Sequence, residues 1–262
     1  MDLELTGKCF LVTGGASGIG AATAAQIVRE GGSVALCGRR GQPLREFEAK
    51  FTAGDQERVR VFPVDILDED RLDECAAFVD SEFGRLDGLV AAAGSGVVGD
   101  ALGTPDSSWS DQFQIKVVGL LNTLRALVPA MAVTGNGRVV VINGVTGHTP
   151  DPTMAAVSAC RAAVANLVTS LTAPLAAQNI GIVCVNPGMI LTDRQKARYE
   201  QLSELPFDDW LAAEVIRRGI AFGRPGTVDD VAAIACFLLS PSASYITGTS
   251  VDVAGGVGVP HE

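Results

Sequence analysis

The chain has 262 residues, of which 47% are hydrophobic, and this is enough for one large α/β domain with a buried core. Its formal net charge of −10 disfavours nucleic-acid backbones and anionic membrane surfaces as partners. The six cysteines form no Cys-x-x-Cys pair, and the two histidines, His148 and His261, lack ligand spacing, so we expect reduced thiols and no metal site. An acidic N-terminus and short apolar runs predict a cytoplasmic protein without a secretory signal or membrane span.

Short runs rich in valine and leucine alternate along the chain with longer helical patterns. Strands are predicted at 9–13, 33–37, 59–64, 86–92, 137–143, 180–186 and 250–253. Helices are predicted at 19–30, 43–53, 69–83, 107–131, 154–178 and 228–239. This alternation is typical of an α/β protein with a parallel sheet and helices on both faces. Because no linker or repeat interrupts it, we predict one domain over residues 1–262.

One polar, charged segment, residues 191–226, breaks this alternation. It follows the end of a predicted strand, and doubly wound sheets bind their ligands outside the carboxyl ends of the strands. We therefore predict a mobile lid over a substrate. The alternative is a surface insertion without a role in binding.

A glycine-rich segment joins the first predicted strand to the first predicted helix, as in a nucleotide-binding βαβ unit. Glycines there permit a tight turn and let backbone N–H groups and the helix N-terminus approach a pyrophosphate. The residues predicted to bind the cofactor in this segment are Gly14, Ser17, Gly18, Ile19 and Gly20.

The end of the second strand bears on the choice of cofactor. An acid near this position would grip the 2′-hydroxyl of NAD, but the chain has Arg39 and Arg40, which can neutralise a 2′-phosphate. NADP is therefore predicted. The alternative is that one or both arginines only face solvent at the start of the next helix. Asp65 ends the third strand, where its carboxylate can accept from the adenine amino group or cap the following helix.

These motifs resemble those of the short-chain dehydrogenase/reductase family, in its ketoacyl-reductase-like branch, over essentially the whole chain. The resemblance implies a Rossmann-type doubly wound sheet of seven parallel strands and, usually, a tetramer. It also implies that Pro187 and Gly188 line the nicotinamide and that Thr192 hydrogen-bonds the carboxamide. Ala93 and Gly94, which also match the family, are predicted to bind the cofactor as well. The further matching positions are Gly119, Asn186, Gly223-Arg224-Pro225, Tyr245-Ile246-Thr247-Gly248 and Gly255-Gly256.

The four catalytic positions of that family differ in this chain. The family uses an Asn, a Ser, a Tyr and a Lys, and the corresponding positions here hold Lys116, Gly144, Val157 and Arg161. Valine and glycine cannot donate a proton, and loss of such a donor costs orders of magnitude in rate. Arg161 can still hold the ribose of the cofactor, but an arginine is a poor proton shuttle. Cofactor binding is thus expected without the family's usual acid chemistry.

Two side chains are candidates for the missing acid. Lys116 is an acid or a ligand of a substrate carboxylate if it points into the cleft, and otherwise reaches solvent or a subunit interface. His148 follows the fifth strand near the expected substrate mouth, although a lone loop histidine is commonly just exposed. Thr146 and Ser158 also carry hydroxyl groups near the altered positions.

Three functional hypotheses follow from this conflict. The first is an NADP-dependent oxidoreductase that acts on a small carbonyl compound, alcohol or activated alkene with an atypical active site. The second is an inactive NADP-binding homologue that serves as a sensor or as a subunit of a hetero-oligomer. The third, a non-redox enzyme on the same scaffold, is the least consistent with the residues. The resemblance also implies a homodimer or homotetramer, because long apolar helices such as those predicted at 107–131 and 154–178 form the dimer bundle in that family.

Overall fold

All strands in the described part of the protein join one parallel sheet. The computed structural model describes residues 2–258, so His261 lies outside the described residues. The strand order is β3-β2-β1-β4-β5-β6-β7, which confirms the predicted seven-stranded, doubly wound α/β fold. The strands are β1 Cys9–Thr13, β2 Ser33–Gly38, β3 Val59–Pro63, β4 Gly88–Ala91, β5 Gly137–Ile142, β6 Ile180–Pro187 and β7 Ser250–Val253.

Helices cover both faces of this sheet. They are α1 Gly18–Arg29, α2 Gly41–Glu48, α3 Ala53–Gln56, α4 Glu69–Phe83, α5 Asp106–Phe113, α6 Gly119–Val133, α7 Ala155–Ala176, α8 Asp193–Leu202, α9 Phe207–Arg217 and α10 Val228–Leu239. Successive strand residues point to opposite faces, so Leu11 packs with α4, α6 and α7 while Val12 packs with α1 and α10. All six cysteines are buried and unbridged.

The predicted helix 107–131 is interrupted in the structure. Residues Gln114–Val118 form one π-helical turn between α5 and α6. Such a turn is an insertion in the helical ladder and is frequent at functional sites. No hydrophobic period in the sequence announces it, because the apolar pattern continues on both sides.

Two helices correct the expectation that the apolar runs are too short to span a bilayer. Within residues 2–258, the stretches Asp106–Val133 and Ala155–Ala176 are long and apolar enough to do so. Each of these helices also buries one face against the sheet, through Leu124 and Leu127 of α6 and Val164 and Val168 of α7. A helix that packs on a protein core has the same length and composition, so these criteria alone do not indicate a membrane.

The segment 191–226 contains α8 and α9 and has an apolar cluster of its own. Trp210, Val215, Met189 and Ile220 are buried together, and Tyr199 packs edge-on against the ring of Phe207. This cluster holds the two helices beyond the carboxyl end of β6, above the edge of the sheet where β1, β4 and β5 also end. The lid movement predicted for this segment stays a prediction.

Candidate active site

A long groove crosses the carboxyl ends of β1 to β4. Its volume is about 820 Å³. The lining residues include half of those predicted to bind the cofactor, namely Gly14, Ser17, Arg39, Arg40, Asp65, Ala93 and Gly94. The groove therefore lies where a dinucleotide is expected in a doubly wound sheet.

The glycines of the first turn are required by its geometry. Gly14 has a φ of 69°, and a Cβ atom there would lie 2.8 Å from the carbonyl oxygen of Ala92. A Cβ atom on Gly20 would collide with the carbonyl oxygen of Gly14. Ser17 precedes α1 without capping it through its side chain, so the N–H groups of Gly18 and Ile19 are open to a phosphate.

The same turn approaches the loop after β6. A Cβ atom on Gly18 would lie 3.6 Å from Cγ2 of Thr192, so the groove is narrow between α1 and the start of α8. On the sheet side, the N–H group of Ala93 donates to Oγ1 of Thr13 at 3.2 Å. The turn, the loop after β6 and the loop after β4 thus enclose a narrow space that suits the pyrophosphate of a dinucleotide.

Two arginines lie at the adenosine end of the groove. Arg39 and Arg40 are exposed, and neither forms an ion pair within the described part of the chain. Arg40 is the residue immediately before α2, where a bound anion would also meet the positive end of the helix. Their position fits a 2′-phosphate, the feature that distinguishes NADP from NAD.

The alternative role of Asp65 as a helix cap is wrong. The side chain of Asp68 caps α4 by accepting from the N–H group of Arg71 at 3.1 Å. Asp65 instead accepts from the N–H group of Leu67 at 3.1 Å and lines the groove. Because the turn after β3 adds three residues before the helix, the capping position falls on Asp68.

A second cavity of about 480 Å³ lies under α8 and α9. It is named the large cavity here, to separate it from the cofactor groove and from a small cavity beside Lys116. Pro187 and Gly188 line it from the end of β6, and Thr146 and Arg161 line it from the opposite side. A Cβ atom on Gly188 would lie 2.9 Å from Cα of Ala254, so a glycine is needed for this close packing. The roles that the resemblance implies for Pro187, Gly188 and Thr192 stay predictions.

Arg161 and Gly144 fit each other at the centre of the site. The φ of Gly144 is 150°, and a Cβ atom there would lie 2.5 Å from Cζ and 2.7 Å from Nε of Arg161. The guanidinium therefore occupies the space that a side chain at position 144 would need. Its Nη1 donates to Oγ1 of Thr146 at 2.8 Å, while its buried Nε has no hydrogen-bond partner among residues 2–258. Burial, reinforced by the charges of Arg194 and Arg218, lowers the pKa of Arg161 to about 10.

Lys116 lies beside this centre, on the π-helical turn. A Cβ atom on Gly94 would lie 3.2 Å from its Nζ, so the amine points into the fold and not to solvent, although the residue as a whole is only partly buried. It lines a small cavity of about 30 Å³ with Thr13, Thr123 and Asn143, and not the large cavity under α8. Burial, followed by the charges of Arg161 and Arg194, lowers the pKa of Lys116 to about 7.

His148 does not join the group, which corrects its expected place at the substrate mouth. Its Nε2 lies 3.0 Å from Oδ2 of Asp252, and it lines a separate cavity with Asn186 and Ser250. The short helical turn Val145–Gly147 directs Thr146 into the large cavity, whereas His148, which follows the turn, points towards β7. Proximity in sequence to the fifth strand was therefore a poor guide to the direction of this side chain.

Other features of the site were missed or given little weight. Thr146 is the hydroxyl group that meets Arg161, whereas Ser158 accepts from the N–H group of Asp151. Val157 is 1% exposed and fills the wall near Gly96 with apolar atoms. The large cavity also contains four arginines of segment 191–226, which the charged composition of that segment could have indicated: Arg194, Arg198, Arg217 and Arg218.

Comparison with known proteins agrees with this geometry. The family model for short chain dehydrogenase matches residues 8–203. The 2-dehydro-3-deoxy-L-rhamnonate dehydrogenase (NAD(+)) of Sphingomonas sp. strain SKA58 is 32% identical over 253 residues, which cover 95% of each chain.

Solved structures show the same similarity. A short chain oxidoreductase from Pseudomonas aeruginosa PAO1, described as containing an atypical catalytic center and solved with NADPH, is 30% identical, with a TM-score of 0.89 over 97% of this chain and 98% of its own. The L-sorbose reductase of Gluconobacter frateurii, solved with NADPH and L-sorbose, is 27% identical, with a TM-score of 0.93 over all of both chains. The cofactor of both neighbours is the one predicted from Arg39 and Arg40.

Proposed function

Since the chain belongs to the short-chain dehydrogenase family, we propose that it is an NADP-dependent oxidoreductase with an atypical active site. It acts on a small carbonyl compound or the corresponding alcohol, or on an activated alkene. Relative to the tetrad that the family uses, Lys116, Gly144, Val157 and Arg161 occupy the four positions.

The pairing of Gly144 with Arg161 carries this proposal. Independent loss of the four catalytic residues would not be expected to leave a guanidinium that fits the space at a glycine and also faces a cavity. Here the glycine is required by the arginine, and the arginine in turn contacts the hydroxyl group of Thr146 at 2.8 Å. Arg161 and Thr146 thus form a pair of donors in the cavity that Pro187 and Gly188 also line, where the nicotinamide is expected.

The chemistry divides between the cofactor and these side chains. Bound NADP supplies or accepts the hydride. Arg161 stabilises the negative charge that develops on the carbonyl oxygen, because its guanidinium stays protonated at neutral pH and faces the cavity. The hydroxyl group of Thr146 accepts from Arg161 and is free to donate its own proton to the same oxygen.

Lys116 is the proposed source of the proton. With a pKa of about 7, its amine is present in both protonation states at neutral pH, as an acid catalyst requires. The cavity of about 30 Å³ in front of it has room for about one water molecule that could link it to Asn143 and Thr13. Lys116 thus acts behind the reacting centre and not in direct contact with the substrate.

The cofactor choice depends on Arg39 and Arg40. The Sphingomonas relative carries NAD(+) in its name, so family membership does not decide between the two dinucleotides. Two exposed guanidinium groups without ion pairs in the described chain favour the 2′-phosphate. Gly14, Ser17, Gly18, Ile19 and Gly20 would hold the pyrophosphate, and Asp65 the adenine.

The first experiment is a fluorescence titration with NADPH and NADH, followed by NADPH oxidation with a panel of aldehydes and ketones. We expect tighter binding of NADPH by about tenfold or more, and a loss of that preference in Arg39→Ala. Arg29→Ala, which removes an exposed arginine outside the groove, serves as the control. Absence of binding by either dinucleotide would contradict the proposal.

The second candidate function is an inactive NADP-binding homologue, a sensor or a partner subunit. The apolar, buried side chain of Val157 favours it, since it offers no donor where the family has a tyrosine. Tight NADPH binding without turnover of any carbonyl compound would support this alternative. Both candidates predict NADPH binding, so NADPH oxidation with aldehydes and ketones is the measurement that separates them.

Assembly and location complete the proposal. α6 and α7 suit a homodimer or homotetramer, because they stay apolar beyond the faces that they bury, with Leu121 and Leu167 only partly buried. We propose such an assembly in the cytoplasm, with segment 191–226 as the lid of one domain. Light scattering of the purified protein tests the oligomeric state.

A further inference from the structure

The large cavity is lined by an unusual number of cations for an acidic protein. Arg194 and Arg198 of α8 and Arg217 and Arg218 at the end of α9 form one wall, and Arg161 lies on the other. The chain as a whole has a formal net charge of −10. A concentration of positive charge inside it is therefore not a consequence of composition.

The carboxylates near these arginines do not balance them. Glu214 pairs with Arg217 at 2.7 Å and with Arg218 at 3.0 Å, and Asp151 lies 3.3 Å from Arg217. Within residues 2–258, these two acids are the carboxylates that form ion pairs with the five arginines of the cavity. Five guanidinium groups thus face two carboxylates.

Several donors of this group are also buried without acceptors. Nε of Arg198 and Nη2 of Arg218 have no hydrogen-bond partner among the described residues, and the two side chains are only 14% and 13% exposed. The remaining contacts of Arg198 are weak, with its Nη1 3.8 Å from the sulfur of Met154 and its Nη2 4.0 Å from Glu214. Buried donors are almost always paired in folded proteins, so these groups indicate a missing acceptor.

The charges also act on one another across the cavity. The positive charges of Arg194 and Arg218 add to burial in lowering the pKa of Arg161. A ligand with negative charge would relieve this repulsion and supply oxygen acceptors to the unpaired donors. Carboxylates and phosphates match the fork of a guanidinium group, whereas a neutral hydroxyl group offers a single lone-pair direction and no charge.

We propose that this cavity selects substrates that carry an anionic group, a carboxylate or a phosphate, which Arg198 and Arg218 bind while the reacting carbon lies at Arg161. This inference deepens the proposed function and depends on it for the position of the reacting carbon. It makes Arg198 and Arg218 specificity-determining residues. The class of substrate is then a small carbonyl compound with an acidic group at its far end.

The test compares pairs of substrates that differ by one anionic group. Succinic semialdehyde and butanal share a four-carbon aldehyde, and only the first has a carboxylate; glyceraldehyde 3-phosphate and glyceraldehyde are the corresponding phosphate pair. We expect kcat/KM with NADPH to be about 10- to 100-fold higher for the charged member of at least one pair. The pair that shows the preference identifies the anion as a carboxylate or a phosphate.

The same anions are then measured without chemistry. Calorimetric titration of the NADPH complex with succinate and with inorganic phosphate reports binding even if no aldehyde is turned over. Arg198→Met and Arg218→Met keep the length of the side chain but remove the charge, and each should weaken binding by about tenfold or more. Arg198→Lys, which keeps the charge but not the fork, should fall between these variants and the wild type.

Arg224→Met is the matched control, because Arg224 lies outside the cavity and contacts Asp230 and the carbonyl of Pro225. Retained NADPH affinity and thermal melting confirm that each variant is folded. Equal turnover of charged and neutral aldehydes would overturn the inference while the oxidoreductase function stands. Anion binding that depends on Arg198 and Arg218, without turnover, would support the inference for ligand binding while the proposed function fails. Absence of anion binding, or binding that both variants leave unchanged, overturns it.

Discussion

The cofactor groove and the large cavity differ in what they are made of. Several segments line the groove, but its end at the start of α1 is a single short turn in which Gly14 and Gly20 have no room for a side chain. The cavity is lined by charged side chains of α7, α8 and α9 and by the segment that follows β5, which meet only in the folded protein. Binding of a common cofactor constrains the backbone, whereas the chemistry and the substrate are set by side chains that can be exchanged. An enzyme can therefore keep the first region and rebuild the second.

The largest expected effect concerns Arg161, which belongs to the rebuilt region. Arg161→Met should lower kcat by about 10²- to 10³-fold, because the variant loses the charge and donors that stabilise the carbonyl oxygen. Steady-state kinetics with NADPH measures the loss. NADPH affinity should change much less, since the proposed pyrophosphate site lies at Gly14 to Gly20 and Arg161 would lose only a contact with the ribose. An unchanged kcat in this variant would show that another group in the cavity stabilises the carbonyl oxygen.

A companion variant examines whether the family's serine can be restored. Gly144→Ser should not raise kcat and should destabilise the fold by about 1–3 kcal/mol, because its side chain would meet the guanidinium of Arg161 and the φ of 150° disfavours any side chain. Removing the guanidinium in Gly144→Ser/Arg161→Ala should recover part of that loss. Equilibrium unfolding in urea measures the coupling, and strict additivity of the two changes would contradict the close fit of these residues.

The two regions also differ in how far the sequence predicts them. The valine-rich runs locate all seven strands within a few residues, and the glycine segment locates the groove, because both signals are local. The positions of Thr146, Arg198 and Arg218 depend on contacts between distant segments, so no spacing announces them. His148 shows the same limit from the other side, since a turn of three residues directs it away from the cavity.

An intermediate effect is expected in the groove. Gly20→Ala should weaken NADPH binding by about 10- to 100-fold, because a Cβ atom would push against the carbonyl oxygen of Gly14 and move the N–H groups that hold the pyrophosphate. Gly54→Ala is the matched control, as a Cβ atom there has no neighbour within 4 Å among the described residues. Fluorescence titration measures both. Unchanged affinity in Gly20→Ala would mean that the dinucleotide does not bind at this turn.

The smallest effect is a pH dependence that comes from Lys116. Its pKa of about 7 means that the protonated amine is lost above neutral pH, so the rate of carbonyl reduction should fall by about tenfold per pH unit there. Lys116→Met should have a lower rate without this fall. His148→Gln is the control, because His148 lines a separate cavity beside Asp252, and it should retain the wild-type profile.

The same residue gives a second readout that does not depend on turnover. Because burial lowers the pKa of Lys116 from its ordinary value of 10.5 to about 7, the unfolded chain holds a proton between these pH values that the folded chain has released. The unfolding free energy should therefore rise with pH over this window, and Lys116→Met should lose that contribution. Urea unfolding at pH 7 and pH 9 measures the difference. A rise of the same size in Lys116→Met would contradict the lowered pKa of the buried amine.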